Sequence, residues 1–521
     1  MNIVTPKAKA LCLGAAFVAT TALPVGAVSR PEKAAAATVP TVATTEKTAD
    51  EASDITNFFS AYLPNMSGTY EGSRPLSEAD FDAARNEVWT AWCEANNAFD
   101  EEKLIPLVPL AQKKSGAWNL PSNLEPNAVM NYWFGYKGRT ANNVYPLFVY
   151  LHGSGNRDSE WNGGHTLCTN FNDSPSLYFI PQIPNTGAYY RWWQKSKQYA
   201  WEKLLRQVFV AGYVDPNRVY FFGISEGGYG SQRLASFYAD YLAAAGPMAG
   251  GEPLINAPAE NCRHIAFSLR TGANDNGFCR NQLTTVTKEA FDSLQALYPG
   301  DYEHNVELIP GQGHGIDYSP TTPWLKRYTR RLHPKHVNWE NYAMDGIQRK
   351  GFYNLVVTDD PGSGPIYYCM DIEDNHISIT ASRVRYYAIQ TDASTGIAIR
   401  YRRAYTTVRN GKMLVYLNND MVDLSQPVTV TVNGDEYFKG MLQPDVKHMV
   451  NSCATFFDPE RIYPAAIEVN FRKGATPVEN VELSDAATSG TPAFYDLGGR
   501  RVTKPGSGIY VTSTGEKVYR Q

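Results

Sequence analysis

The chain has 521 residues, a formal net charge of −4 and a charged fraction of 19%. This length exceeds that of one ordinary domain, so two or three domains are expected. The weak negative charge and the lack of a long basic run argue against nucleic-acid binding. Beyond the N-terminal region the sequence has no apolar segment as long as a membrane span requires, so no transmembrane segment is predicted.

The N-terminus has the layout of a secretory signal peptide, which we predict over residues 1–27. Lys7 and Lys9 precede an apolar run from Ala10 to Leu23, and Val25-Gly26-Ala27 offers the small residues of a cleavage site. The protein is therefore expected to be exported and to be secreted, periplasmic or located at the cell surface.

Two segments follow the signal peptide. Residues 28–50 are rich in Ala, Thr and Val and show little pattern, which predicts a disordered spacer. Residues 51–126 are expected to form an N-terminal helical segment. Within it, Ser77 and Asp80 form a weak capping-box signal at the start of a periodic stretch, which predicts a helix from Leu76 to Asn97.

Residues 127–332 are predicted to form an α/β domain. Its first strand is expected at Asn127–Tyr136. From there, runs typical of strands alternate with helical stretches, which is the pattern of a doubly wound, mostly parallel sheet with helices on both faces.

The motif Gly223-Ile224-Ser225-Glu226-Gly227 lies within this domain. It follows the apolar run Val219–Phe222 and precedes a stretch that can begin a helix. A strand, a sharp turn and a helix are the parts of a nucleophile elbow, in which small glycines let the turn expose the serine hydroxyl. The motif therefore predicts acyl transfer with Ser225 as the nucleophile.

A second glycine turn, His152-Gly153-Ser154-Gly155, follows the apolar run Pro146–Leu151. In a serine hydrolase such a turn supplies a backbone N–H to the oxyanion hole, and the residue after the nucleophile supplies another. The candidate donors are the N–H of Ser154, or of its neighbour Gly153, and the N–H of Glu226. Taken by itself, the turn is more typical of a plain glycine loop, but beside the elbow the oxyanion role is favoured.

Two loops after Ser225 supply a candidate acid and then a candidate base, which is the chain order expected when the serine lies in a nucleophile elbow. Asp275 follows the run Ile265–Arg270, and His314 follows the run Asn305–Pro310. Each lies just past the C-terminal end of a predicted strand, where open α/β sheets place their chemistry. Asp317 is the rival acid, but it follows the histidine within one turn, where its side chain would be poorly placed for the imidazole.

The segment Tyr189-Tyr190-Arg191-Trp192-Trp193 lies between the glycine turn and the elbow. Tyr190, Trp192 and Trp193 are candidate substrate-binding residues, because aromatic rings after a strand end can line a cleft and stack on a flat substrate or a sugar ring. The alternative is that the two tryptophans pack in the core. The sequence has no C-x-x-C, H-E-x-x-H or comparable ligand pair, so neither a metal site nor a cofactor is expected.

After the α/β domain, short alternating strands replace the helical pattern. They predict a separate β-sandwich-like domain over residues 333–475, which packs against the catalytic domain and shapes its cleft. Carbohydrate binding is the alternative role. Asn433-Gly434 after Val428–Val432 indicates a hairpin turn. A linker is predicted at 476–491 and a short β tail at 492–521.

The cysteines that follow the signal peptide would meet an oxidising compartment and could form disulfides, whose connectivity the sequence does not give. Cys262 and Cys279 flank the strand and loop of Asp275, so a bridge between them would brace the candidate acid. Buried free thiols are the alternative. These cysteines are Cys93, Cys168, Cys262, Cys279, Cys369 and Cys453.

Residues 127–331 resemble the α/β-hydrolase superfamily, and within it secreted esterases of the polyhydroxybutyrate-depolymerase and feruloyl or acetyl-xylan esterase type. The resemblance is carried by the motifs around Gly153, Ser225, Asp275 and His314. It implies a Ser225–Asp275–His314 triad that hydrolyses carboxylic esters without a cofactor. The implied substrate is an ester of plant or cell-wall polysaccharide, or a related ester.

Two other functions stay open. Gly227-Gly228 after the serine also resembles prolyl-oligopeptidase-type hydrolases, but the segment before residue 127 is too short for the large β-propeller usual in that group. A non-catalytic binding protein on a hydrolase scaffold is the second alternative.

The C-terminal tail is similar to the sorting tails of proteins exported by the type IX pathway. This resemblance covers Phe494–Val502, Gly508–Val511 and Gly515–Val518. It implies delivery to the cell surface or the medium and contact with an export machinery. The alternative is a small β appendage with no such role.

Overall fold

The structure is a computed structural model that describes residues 45–472 and Gly474, together with four short strands between residues 494 and 520. The signal peptide predicted over residues 1–27 and the linker predicted at 476–491 lie outside the described residues.

Seven α-helices precede the β-rich part in the described residues. They are α1 (Thr45–Tyr62), α2 (Phe81–Ala98), α3 (Arg157–Asn170), α4 (Lys195–Ala211), α5 (Glu226–Phe237), α6 (Arg280–Leu297) and α7 (Thr321–Leu325). Helix α1 begins inside the predicted spacer of residues 28–50, so the end of that spacer is helical. Ser77 and Asp80 form a capping box just before α2, which confirms the helix predicted there. No helix in the described ranges is long and apolar enough to cross a membrane.

A nine-stranded sheet forms the centre of the α/β part. Its strands are β1 (Val108–Pro109), β2 (Ser115–Asn119), β3 (Val129–Lys137), β4 (Tyr145–Leu151), β5 (Ser176–Pro181), β6 (Val214–Ile224), β7 (Ala244–Met248), β8 (Ala266–Gly272) and β9 (His304–Ile309). The order is β1-β3-β5-β4-β6-β7-β8-β9, with β2 paired to β3. The strands from β5 to β9 run parallel, and β3 runs antiparallel to β5.

Both faces of this sheet are buried. Along β4, Leu147, Val149 and Leu151 belong to the core on one face. Phe148 and Tyr150 belong to a second core on the other face. This alternation is the two-residue period of a strand, and apolar residues at every position are typical of a parallel sheet covered by helices on both sides.

The β-rich part consists of two sheets and one helix. The strands are β10 (His336–Asn341), β11 (Gly351–Phe352), β12 (Leu355–Asp359), β13 (Ile366–Glu373), β14 (His376–Thr391), β15 (Ala398–Thr407), β16 (Lys412–Leu417), β17 (Val428–Val432), β18 (Asp435–Gly440) and β19 (Ala465–Asn470), and the helix is α8 (Val446–Phe456). One sheet has the order β10-β13-β14-β17-β18 with β15 on β14, and the other has the order β11-β12-β16-β19. Trp339 of the first sheet stacks on Phe352 of the second, with ring centroids 5.4 Å apart.

The predicted fold class, an α/β-hydrolase sheet followed by a sandwich-like β part, is confirmed. The predicted hairpin turn is also confirmed, since β17 and β18 pair antiparallel across Asn433 and Gly434, whose φ angles are 51° and 89°. Such angles are favourable for Asn and Gly in a tight hairpin. Helix α8 was not expected among the strands. It begins at an N-cap, Asp445, whose side chain accepts from the Lys447 N–H.

The β part packs against the α/β part through buried side chains, and the domain bounds 333–475 stay a prediction. Tyr241 stacks on Phe457, with ring centroids 5.4 Å apart. Arg330 pairs with Asp458 at 2.6 Å, and both side chains are buried. One hydrophobic core therefore continues from the central sheet into the β sheets.

The tail contains the short β pattern that was predicted for residues 492–521. Its strands are β20 (Phe494–Tyr495), β21 (Arg501–Val502), β22 (Gly508–Thr512) and β23 (Lys517–Arg520). They form an antiparallel sheet in the order β21-β20-β22-β23. Its role in sorting stays a prediction.

The described cysteines are all free thiols, so the disulfides considered above are not formed. Cys262 and Cys279 lie before and after β8. Cys262 belongs to the main core and Cys279 to a separate small apolar cluster, and both thiols are free.

Candidate active site

The turn at Ser225 has the geometry of a nucleophile elbow. Strand β6 ends at Ile224, helix α5 begins at Glu226, and Ser225 between them has φ 56° and ψ −112°. Such a backbone is strained for a residue other than glycine and persists only where its surroundings hold it. Two backbone hydrogen bonds do so: the Ser225 N–H donates to Met248 O, and the Tyr229 N–H donates to Ser225 O, each at 3.0 Å.

The glycines of the motif are required by close backbone contacts. A Cβ on Gly227 would lie 1.9 Å from the carbonyl oxygen of Leu151, at the end of β4. A Cβ on Gly223 would lie 2.5 Å from the carbonyl oxygen of Gly227. Any side chain at these positions would push α5 away from the sheet, so glycine is what allows the serine turn to be this tight.

Ser225, His314 and Asp275 form a continuous chain of hydrogen bonds. The Ser225 hydroxyl lies 3.0 Å from His314 Nε2, and His314 Nδ1 lies 2.8 Å from Asp275 Oδ2. With a neutral imidazole protonated at Nδ1, the serine donates to Nε2 and the histidine donates to the carboxylate. Asp275 is buried, whereas 45% of the His314 side chain is exposed. A solvent-accessible base beside a buried acid is the arrangement of a serine-hydrolase triad.

The loops that carry the acid and the base are joined directly. The Asn274 N–H donates to Gln312 O at 2.8 Å. A Cβ on Gly272 would lie 2.0 Å from the carbonyl oxygen of Gly313, so the two loops touch through their backbones. The rival acid, Asp317, instead accepts from the Ser319 N–H at 2.9 Å within its own loop.

Arg280 is a functional neighbour that the sequence did not reveal. Its Nε donates to Asp275 Oδ2 at 2.9 Å, and its Nη1 donates to the Tyr229 hydroxyl at 3.2 Å. Burial raises the pKa of Asp275, but hydrogen bonds from Arg280 and His314 and their charges outweigh it and hold the pKa below its usual value. The carboxylate is therefore kept ionised. Arg280 lies at the first position of α6, and no motif marks it.

The predicted oxyanion donors lie next to Ser225. A Cβ on Gly153 would lie 3.5 Å from Ser225 Cβ, so the glycine turn after β4 adjoins the serine. Within this turn Gly153 is buried and Ser154 is exposed. Glu226 is the first residue of α5, where backbone N–H groups have no partner inside the helix and the helix dipole favours negative charge.

His152 in the glycine turn is a structural residue. It is fully buried, its Nδ1 lies 2.8 Å from Gly153 O, and its Nε2 accepts from the Ile183 N–H at 3.1 Å. Burial lowers its pKa to about 4 despite the hydrogen bond to Gly153. It is therefore neutral at neutral pH, with its proton on Nδ1, and it ties the turn to the end of β5.

Two of the predicted substrate-binding residues, Tyr190 and Trp192, are buried. Trp192 has no exposed surface and Tyr190 is 7% exposed, so neither ring is free to stack on a substrate. Trp192 packs in the core, as the alternative prediction has it. Its ring lies edge-on to the His152 ring, with ring centroids 4.9 Å apart. Trp193 is half-buried, and the Arg233 guanidinium lies 3.9 Å from its ring centroid. Its contact with a substrate stays a prediction.

The side chain of Glu226 forms an ion pair beside the nucleophile. One carboxylate oxygen lies 3.4 Å from Arg191 Nη1, and the residue is only 8% exposed. Burial raises the pKa of Glu226 to about 7. The positive charges of Arg191 and Arg233 oppose this shift, and the negative charge of Glu252 adds to it. This carboxyl group therefore titrates near neutral pH next to Ser225.

Over the described part of the chain, no group of three or more His, Cys, Asp and Glu side chains is arranged to hold a metal ion. The site brings together a serine, an imidazole, a carboxylate, and N–H groups at a turn and at a helix start. This set can perform acyl transfer.

Comparisons with known proteins give only distant likenesses. No family model and no curated protein matches the chain. Among solved structures, a thermostable esterase has 19% identity over 42% of this chain and 64% of its own, with a TM-score of 0.33. A CE1 ferulic acid esterase from Anaeromyces mucronatus has 16% identity over 41% of this chain and 87% of its own, with a TM-score of 0.30.

A third structure is a candidate dipeptidyl aminopeptidase IV from Bacteroides ovatus. It has 14% identity over 41% of this chain and 34% of its own, with a TM-score of 0.33. The chain therefore spans less than two thirds of this protein and of the thermostable esterase. Likenesses at this level do not place the chain in a family.

Proposed function

We propose that this protein is an exported serine hydrolase that cleaves carboxylic esters through an acyl-enzyme. The observation that carries the proposal is the hydrogen-bonded chain from Ser225 through His314 to Asp275, with distances of 3.0 and 2.8 Å. The strained elbow that exposes the serine supports it. The substrate that we propose is an ester linked to plant or cell-wall polysaccharide, or a related ester.

In the first half of the reaction His314 acts as general base. It takes the proton of Ser225 as the serine oxygen attacks the ester carbonyl carbon. Asp275 orients the imidazole and stabilises its positive charge, without taking the proton itself. The oxyanion that develops is held by the N–H of Ser154 and the N–H of Glu226, where donors fixed in advance lower the barrier most.

In the second half the bond between the carbonyl carbon and the alcohol oxygen breaks, and His314 gives its proton to the departing alcohol. Water then attacks the acyl-enzyme with His314 again as base. The acid is released and Ser225 regains its proton. Each step uses groups that the site already holds, so no cofactor is proposed.

Export is the second part of the proposal. The signal-like N-terminus supports secretion into the periplasm, to the cell surface or into the medium, and the C-terminal tail supports use of an export machinery. Cell fractionation with an antibody against the α/β part would test it. Recovery of the mature protein only in the cytoplasm would contradict it.

A substrate panel tests the proposed reaction. Wild type, Ser225→Ala and a control variant are incubated with acetyl, feruloyl and aryl esters, with acetylated and feruloylated polysaccharides, and with prolyl amides. The control is Ser293→Ala, which changes an exposed serine on α6. We expect ester hydrolysis that Ser225→Ala abolishes and Ser293→Ala retains. Faster cleavage of prolyl amides than of esters would favour the peptidase. Absence of any turnover would favour the binding protein.

A further inference from the structure

Two aromatic side chains hold the glycine turn beside Ser225. The Tyr190 hydroxyl donates to the carbonyl oxygen of Gly153 at 2.8 Å. The indole N–H of Trp192 donates to the carbonyl oxygen of His152 at 2.9 Å. We call Tyr190 and Trp192 the aromatic clamp. Its two hydrogen bonds fall on successive peptide groups of the turn.

Each of these peptide groups carries one of the candidate oxyanion donors. In a planar trans peptide the C=O and the following N–H point in opposite directions. By holding His152 O, Trp192 thus fixes the direction of the Gly153 N–H. By holding Gly153 O, Tyr190 fixes the direction of the Ser154 N–H. Ser154 is exposed and Gly153 is buried, so the Ser154 N–H is the donor that a substrate can reach.

The clamp is itself anchored to the elements that carry the nucleophile. A Cβ on Gly230 of α5 would lie 2.6 Å from Trp192 Cβ, so only glycine lets the clamp approach this helix so closely. Trp201 of α4 donates to Trp192 O at 3.1 Å. Arg191, between the clamp residues, lies 3.4 Å from the carboxylate of Glu226. One segment therefore contacts both sides of the oxyanion site.

We propose that Tyr190 is a positioning residue, which orients the Ser154 N–H for oxyanion binding while Trp192 fixes the preceding peptide. The inference rests on the proposed function. Donors that are already aligned need no reorganisation as the oxyanion forms, so the clamp acts on the transition state and not on the bound ester. His152 Nδ1 also lies 2.8 Å from Gly153 O, so it retains part of the alignment when the Tyr190 hydroxyl is removed.

The test compares Tyr190→Phe with Tyr189→Phe in the full-length protein. Tyr189 is an exposed tyrosine in the same segment, and the hydroxyl that donates to Gly153 O belongs to Tyr190, so Tyr189→Phe is a matched control. Removal of a whole oxyanion donor lowers kcat by about 10²–10³-fold. Tyr190→Phe leaves the donor in place and only loosens its alignment, so we expect kcat for an aryl ester to fall about tenfold with KM unchanged. Affinity for a trifluoromethyl ketone, which forms a tetrahedral oxyanion on serine, should fall by the same factor.

A second variant, Trp192→Phe, identifies the donor. It removes the hydrogen bond to His152 O, and we expect a smaller loss of kcat than in Tyr190→Phe when each rate is divided by the folded fraction. A larger loss in Trp192→Phe would assign the oxyanion to the Gly153 N–H and overturn the proposal.

Two other outcomes would also overturn it. One is identical kinetics for Tyr190→Phe and Tyr189→Phe. The other is a raised KM with unchanged kcat, which would mean that Tyr190 binds the substrate. Failure of the proposed function gives a different result, because wild type itself would then show no hydrolysis that depends on Ser225. In that case the role of Tyr190 would be refuted as well.

Discussion

Replacing Gly272 by alanine should separate the loops that carry the acid and the base. Gly272 ends strand β8, and a Cβ on it would lie 2.0 Å from the carbonyl oxygen of Gly313 and 2.4 Å from that of Gln312. Both obstacles are backbone atoms, so no side chain can rotate out of the way. The loop of His314 must therefore move relative to the loop of Asp275.

The size of the effect follows from these contacts. An ordinary contact of a Cβ begins at 3.4 Å, so relief of the 2.0 Å clash requires a displacement of about 1.4 Å. A misplacement of about 1 Å in an active site costs about 10²-fold in rate. We expect kcat for an ester to fall about 100-fold in Gly272→Ala, with a smaller change in KM because His314 acts on the transition state.

Gly313→Ala is the matched control, because a Cβ at Gly313 meets no atom within 4 Å. It should keep kcat within about threefold of wild type. Both variants are assayed for steady-state hydrolysis and for thermal unfolding, and rates are divided by the folded fraction. Wild-type kcat in Gly272→Ala, or equal losses in both variants, would refute the reasoning that the contact between these two loops sets the triad geometry.

Three further predictions concern stability and thiol chemistry. Burial raises the folded-state pKa of Glu226 to about 7, so the native state binds the carboxyl proton more tightly than the unfolded state does. The unfolding free energy therefore falls as pH rises from about 4.5 to about 7. Urea unfolding should show that Glu226→Gln removes about 3 kcal/mol of this pH dependence. Asp458→Ala leaves the buried Arg330 and Arg461 without this partner and should lower the unfolding free energy by about 3–5 kcal/mol. In denaturant without reductant, a thiol reagent should modify every described cysteine, since all of them are free.

Each of these predictions has a control or a contrary result. The same pH dependence in Glu226→Gln as in wild type would show that this carboxyl group does not carry the effect. Glu289→Ala removes a half-exposed partner of Arg400 and should cost less than about 1 kcal/mol, in contrast to Asp458→Ala. Thiols that appear only after reduction would contradict the free cysteines.

The sequence predicts the elements of the site well, because each is signalled locally. The elbow glycines around Ser225 lie between an apolar strand and a helix, and Asp275 and His314 each follow an apolar run that became a strand. A parallel sheet brings the carboxyl ends of neighbouring strands to one edge. Ser225, Asp275 and His314 follow strands of this sheet, so their side chains come together at that edge.

What the sequence does not predict depends on contacts between distant segments. The burial of Trp192 arises from its packing against Gly230 and His152, which no local pattern shows. The pairing of Arg280 with Asp275 depends on how α6 leaves the acid loop. The ion pair and the ring contact that pack the β part against the central core also join residues far apart in the chain.

Labelling with a fluorophosphonate probe shows whether His314 activates Ser225 as a nucleophile. Wild type and His314→Ala are treated with the probe, digested, and mapped by peptide mass spectrometry. We expect an adduct on Ser225 in wild type and little or none in His314→Ala, because the imidazole 3.0 Å from the hydroxyl activates it. An unlabelled Ser225 in the folded wild-type protein, or an adduct that forms equally fast without His314, would contradict this expectation.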